Sequence, residues 1–149
     1  MRIAALALLA VCSSLCATGV QAAGYRSVSE AAILYDAPSL RAERLFIAPA
    51  GMPVQTIVTL EAWVKVRDAS GALAWIERKS LDEKITLVTL VATTVRSAPN
   101  DFAASVFQVN RGVLLEPAEP AEIDANGWVK VRHSDGQSGY IKAAEVWGL

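Results

Sequence analysis

The 149-residue chain carries 14 basic and 15 acidic side chains, a net charge of −1 at pH 7. That balance is no electrostatic footprint for nucleic acid or an anionic surface. A single histidine, His133, and two cysteines, Cys12 and Cys16, leave little material for a metal centre or a nucleophile–base pair.

The chain opens with Arg2 and an almost unbroken apolar run from Ile3 to Val11, followed by small residues and Val20-Gln21-Ala22. A positive start, a short apolar segment and a small-x-small site are the layout of a secretory signal peptide. Cys12, Ser13, Ser14 and Thr18 dilute the run before the ~20 residues that a spanning helix needs. Residues 1–22 are therefore expected to be cleaved, leaving no stable membrane span and an exported protein, with the periplasm as its expected compartment. Neither cysteine follows a convincing lipoprotein box, and both leave with the leader. The mature chain of about 127 residues then has no thiol and, without Arg2, 13 basic against 15 acidic side chains. That length permits one ordinary domain or two very small ones.

From Gly24 onward the apolar pattern has period two, and the runs Ala31 to Tyr35, Val54 to Leu60, Ile85 to Arg96 and Val113 to Leu115 are rich in strand-forming residues. All six prolines fall at the margins of these runs, where turns belong. Only Lys79 to Leu81 and Ala143 to Val146 suggest a helical turn. The fold class is all-β.

A duplication organises these strands. Trp63-Val64-Lys65-Val66-Arg67 recurs unchanged as Trp128-Val129-Lys130-Val131-Arg132, 65 residues on, and Gly71, Ala74, Trp75 and Ile76 answer Gly136, Gly139, Tyr140 and Ile141. Upstream, Ala37-Pro38-Ser39 answers Ala98-Pro99-Asn100 at an offset of 61. The four-residue difference belongs in a loop between the anchors. Asp68 to Gly71 and His133 to Gly136 read as tight turns, the Asp135-Gly136 pair being a hairpin signal.

Val95-Arg96-Ser97-Ala98-Pro99-Asn100, Asn110-Arg111-Gly112, Asn126-Gly127-Trp128-Val129-Lys130-Val131, Asp135-Gly136 and Gly139-Tyr140-Ile141 together resemble the bacterial SH3 domain. The first copy departs from the pattern: Leu34-Tyr35-Asp36 lacks the arginine, and Ala62 and Ala74 replace glycines. The resemblance covers nearly all of residues 24–149 and implies two small SH3-like β-barrels in tandem, residues 24–84 and 85–149. Units of about 60 residues make marginal cores, and the Asp82-Glu83-Lys84 connection lacks a flexible tether's composition, so a rather rigid pair is expected.

No catalytic constellation is legible, and no cofactor is expected. His133 sits in a predicted turn beside Ser134 and Asp135, whereas triad members come from separate segments. Glu116, Glu119, Glu122 and Asp124 read as a solvated, proline-stiffened segment rather than a metal site. The alternation places Val64, Val66, Val129 and Val131 on one strand face, with Trp63, Arg67, Trp128 and Arg132 on the other. If the valines face the cores, the tryptophans lie partly exposed among cations. They then form either a recognition platform, with arginine for a carboxylate, or a structural cover over which Lys and Arg stack. Tyr35, beside Asp36, is a further candidate ligand contact. SH3-like domains bind extended peptides in aromatic-lined grooves, and the resemblance implies a non-catalytic module for a peptidoglycan peptide or an envelope-protein peptide. The alternatives are an assembly protein docking through a barrel edge and, least supported, an enzyme.

Overall fold

The computed structural model describes residues 24–149; the expected signal peptide, residues 1–22, and both cysteines lie outside them. Seven strands make the first unit: β1 (Tyr25–Val28), β2 (Ala32–Tyr35), β3 (Arg44–Ala48), β4 (Pro53–Thr59), β5 (Trp63–Arg67), β6 (Leu73–Glu77) and β7 (Leu81–Asp82). Seven more make the second: β8 (Leu87–Thr89), β9 (Thr93–Arg96), β10 (Ser105–Val109), β11 (Leu114–Pro117), β12 (Trp128–Arg132), β13 (Ser138–Lys142) and β14 (Val146–Trp147). The antiparallel strand orders are β3-β2-β6-β5-β4-β1-β7 and β10-β9-β13-β12-β11-β8-β14. Subtracting seven from each label of the second sheet reproduces the first, so the duplication read in the sequence is a duplication of topology.

Period-two alternation builds both cores. Val64 and Val66 are 3% and 1% exposed, and Val129 and Val131 1% each. The first core gathers them with Val28, Leu34, Ala48, Val54, Ala74 and Ile76; the second collects Leu87, Val95, Val109, Leu115, Ile141 and Val146. In the hairpins after β5 and β12 the last turn residue, Gly71 or Gly136, has a φ of 89° or 94°, a left-handed backbone that glycine adopts without a Cβ penalty. Asp68 reinforces its turn by accepting the N–H groups of Ser70 (2.8 Å) and Ala72 (3.0 Å). The two suggested helical turns are single 3-10 turns, Arg78–Ser80 and Ala143–Glu145.

The structure corrects one strand expectation. Ile85 to Arg96 is not one long strand but β8 and β9, separated by a bend at 90–92 where the Leu90 N–H turns to the Glu145 carbonyl (2.8 Å). No glycine or proline marks that break; a hydrogen bond from 55 positions away makes it. Beside it, the hydroxyl of buried Thr89 donates to the Asn110 carbonyl (2.6 Å) and accepts the Val113 N–H (2.9 Å). Its counterpart in the first unit is Val28. Thr89→Val keeps the volume but strips both partners, and is expected to cost about 1–3 kcal/mol, read as a shift in the urea midpoint. A shift under about 0.5 kcal/mol would show that neither group needs the hydroxyl.

The units meet along their connection. Ser27 Oγ donates to the Lys84 carbonyl (2.8 Å), and Thr86 Oγ1 donates to the Gly51 carbonyl (2.7 Å). Tyr25 stands edge-on to Trp147 with centroids 5.0 Å apart. Among the described residues no helix is long and apolar enough to cross a membrane.

Candidate functional site

On the outer face of the first sheet, Tyr35 of β2 is level with Trp75 of β6, and Trp75 with Lys65 of β5. The Lys65 ammonium lies over the Trp75 ring, 5.9 Å from its centroid, and Tyr35 meets Trp63 edge-to-face at 5.4 Å. Toward the far end of β5, Arg67 is level with Leu73, which is 46% exposed, and donates weakly to Gln55 Oε1 (3.4 Å). The result is a ladder of aromatic pair, lysine-capped indole, and arginine beside leucine. At about 3.3 Å per residue, Trp63 and Arg67 stand roughly 13 Å apart along the strand. They cannot grip one small group together; they can touch two ends of an extended chain.

The second sheet repeats the geometry with different chemistry. Arg96 occupies the position of Tyr35 and is level with Tyr140, and Lys130 is level with the same tyrosine. Lys142 lies over the Trp128 ring at 5.5 Å and pairs with Asp101 at 2.6 Å. Arg96, Lys130, Arg132 and Lys142 make this face cationic where the first is aromatic.

Two expectations require correction. Trp128 is 6% exposed and Tyr35 only 4%, so neither offers a free ring to a ligand. Tyr35 is buried because Trp63 packs against it. Trp128 is covered because Lys142 stacks on it, and the long connection before β12 folds back beside it, the Asp124 carboxylate accepting the backbone N–H of Trp128 (3.0 Å). Trp63 is half-buried, while Arg67 and Arg132 are exposed. The five candidates form no single site: Tyr35, Trp63 and Arg67 lie on one unit and Trp128 and Arg132 on the other. Trp75 and Lys65, which are not among the sequence candidates, join the first group.

Glu116 departs from the solvated-segment expectation. It lies in β11, level with Arg132, and its carboxylate oxygens take different cations: Oε1 the Lys84 ammonium at 2.6 Å, Oε2 the Arg132 guanidinium at 2.9 Å. Hydrogen bonds from Lys84 and then Arg132 hold its pKa below the ordinary 4.5, against the opposing effect of desolvation. A depressed carboxyl stabilises the fold above its unfolded value and loses that contribution as pH falls through the folded one. Glu116 is therefore an anion at neutral pH. Beside it opens a cavity of about 440 Å³ lined by Lys84, Ile85, Glu119, Lys130, Arg132 and Ser138, among others. His133 is half-buried in its turn, 3.1 Å from Asp135 and tilted against Phe107. Among the described residues no three His, Cys, Asp or Glu side chains cluster as metal ligands.

Residues 28–83 and 91–148 each match the family described as bacterial SH3 domain. Among solved structures the chain is similar to NlpC2 and NlpC1 of Trichomonas vaginalis, each at 15% identity with a TM-score of 0.39. These similarities cover 87% and 89% of this chain but only 49% and 48% of those proteins, so the chain spans about half their length. No curated protein matches it in sequence.

Proposed function

Because the chain belongs to the bacterial SH3 domain family, we propose that it is an exported, non-catalytic module that holds an extended peptide, in the first place a peptidoglycan stem peptide, on the outer face of its first barrel. The leader-like opening supports export to the periplasm. Peptide binding is supported above all by the ladder on β5 and β6: half-open Trp63, braced from β2 by buried Tyr35, the Lys65–Trp75 stack, and Arg67 beside exposed Leu73. Aromatic rings supply rigid contact area, and the arginine at the far end suits a carboxylate. Trp63 and Arg67 are side-chain types that dominate binding energies elsewhere.

Trp63→Ala tests this. Wild-type protein is expected to be retained on purified sacculi and to bind stem peptides in titration, and folded Trp63→Ala to lose tenfold or more in affinity, on the order of the loss seen at interface tryptophans. No retention of wild type, or undiminished retention of the variant, overturns the proposal.

A second reading, an assembly protein, has one specific support. Edge strand β3 presents Leu45, Phe46 and Ile47 at 43%, 40% and 69% exposure, with no charge from 45 to 48. Apolar edge strands are pairing sites unless blunted. Cross-linking in the exported compartment that recovers a partner through β3 would favour it.

A further inference from the structure

We propose that the cavity between the Lys84–Ile85 connection and strands β11–β12 binds the terminal carboxylate of a peptide, with Glu116 occupying the cationic pair until the ligand displaces it. Three observations point there. A carboxylate already sits in the site: the Glu116 oxygens are held at 2.6 and 2.9 Å by Lys84 and Arg132. The cations outnumber the carboxylates three to two, Lys84, Lys130 and Arg132 against Glu116 and Glu119, and Lys130 has no ion-pair partner among the described residues. The walls suit a small terminal residue, with Ile85, Pro117 and Ala118 beside the charges, and about 440 Å³ is the size of a small-ligand site.

The internal contact is weak enough to exchange. Lys84, Arg132 and Glu116 side chains are 47%, 64% and 36% exposed, and ion pairs open to water to that degree are screened and hold their partners weakly. A peptide carboxylate adds bidentate contact with arginine and apolar burial that Glu116 does not make. Position matters as well: the Lys84 carbonyl is fixed to the first barrel by buried Ser27, while Glu116 and Arg132 belong to the second, so the site exists only where the barrels meet. The first barrel has no equivalent. There the residue opposite Arg67 is neutral Gln55, and Tyr25 of β1 pairs alongside it.

This site is separate from the ladder around Trp63, so the two proposals fail independently. The test titrates the full mature chain with acetyl-Ala-Ala-Ala and with its C-terminal amide, following backbone amide NMR signals. The free acid is expected to shift Lys84, Lys130 and Arg132, and the amide to bind at least about tenfold more weakly. Glu116→Gln, which removes the competing charge and keeps the shape, is expected to tighten the acid severalfold. Arg132→Ala is expected to abolish the difference between acid and amide. Equal binding of acid and amide, shifts confined to other residues, or weaker acid binding by Glu116→Gln each overturns the proposal. Sacculus retention that is lost in Trp63→Ala but unchanged in Arg132→Ala and Glu116→Gln would retain the ladder and remove this site as a contact for the wall.

Discussion

Ile141→Ala is expected to destabilise the second barrel by about 3 kcal/mol. Ile141 is fully buried in central strand β13, packed among Leu87, Val95, Val109, Leu115, Val129, Val131 and Val146. Truncation removes the transfer free energy of the lost methyl(ene) groups and leaves a cavity, and a sheet bonded on both sides has little room to collapse into it. A unit of about 60 residues has only a few kcal/mol in total, so most of its margin disappears. Urea unfolding followed residue by residue by NMR should show signals of 87–147 lost at lower denaturant than in wild type. A change below about 1 kcal/mol would mean that the core relaxes around the gap or that the first barrel supplies the missing stability through the Tyr25–Trp147 and Thr86–Gly51 contacts.

Gly139→Ala should cost about 1–3 kcal/mol although it adds one methyl group. Gly139 lies in β13 where β9 crosses closest, and a Cβ there would stand 2.5 Å from the Arg96 carbonyl oxygen and 2.8 Å from Val95 Cγ1. The obstacle is backbone, which cannot rotate away as a long side chain can. The strands must part, weakening the junction that holds Arg96 level with Tyr140. The matched position in the first barrel is buried Ala74, so that barrel has the extra space already. A thermal midpoint unchanged from wild type would show that β9 moves at no cost.

The duplication was legible because a pentapeptide repeats unchanged and because alternation is a local property. Each strand's register follows from which neighbours are apolar, and that carried the all-β class, the inward valines and the paired turns. Strands β1, β3, β7, β10 and β14 have no counterpart among the runs read from the sequence. β3 is apolar from Leu45 to Ala48 yet exposed on an edge, so it lacks the alternation that marks a half-buried strand. The exposure of Tyr35 and Trp128 was misjudged for a different reason. Trp128 follows from strand face and Tyr35 from its place beside Asp36, and neither decides whether another element covers the ring.

The amino-acid sequence by itself determined two all-β units of one family, the faces on which valines and tryptophans lie, and the scarcity of catalytic side chains. Tertiary structure alone decided which of two identical pentapeptides keeps a reachable ring. Trp63 meets Tyr35 and stays half open, whereas Trp128 lies beneath Lys142 and beside the longer connection carrying Asp124. It also decided that Glu116 would join Lys84, 32 residues before it, to Arg132, 16 residues after it. A strand's own residues set only its alternation, but burial and charge pairing depend on what strands far along the chain bring beside it, and that is settled when the sheets close.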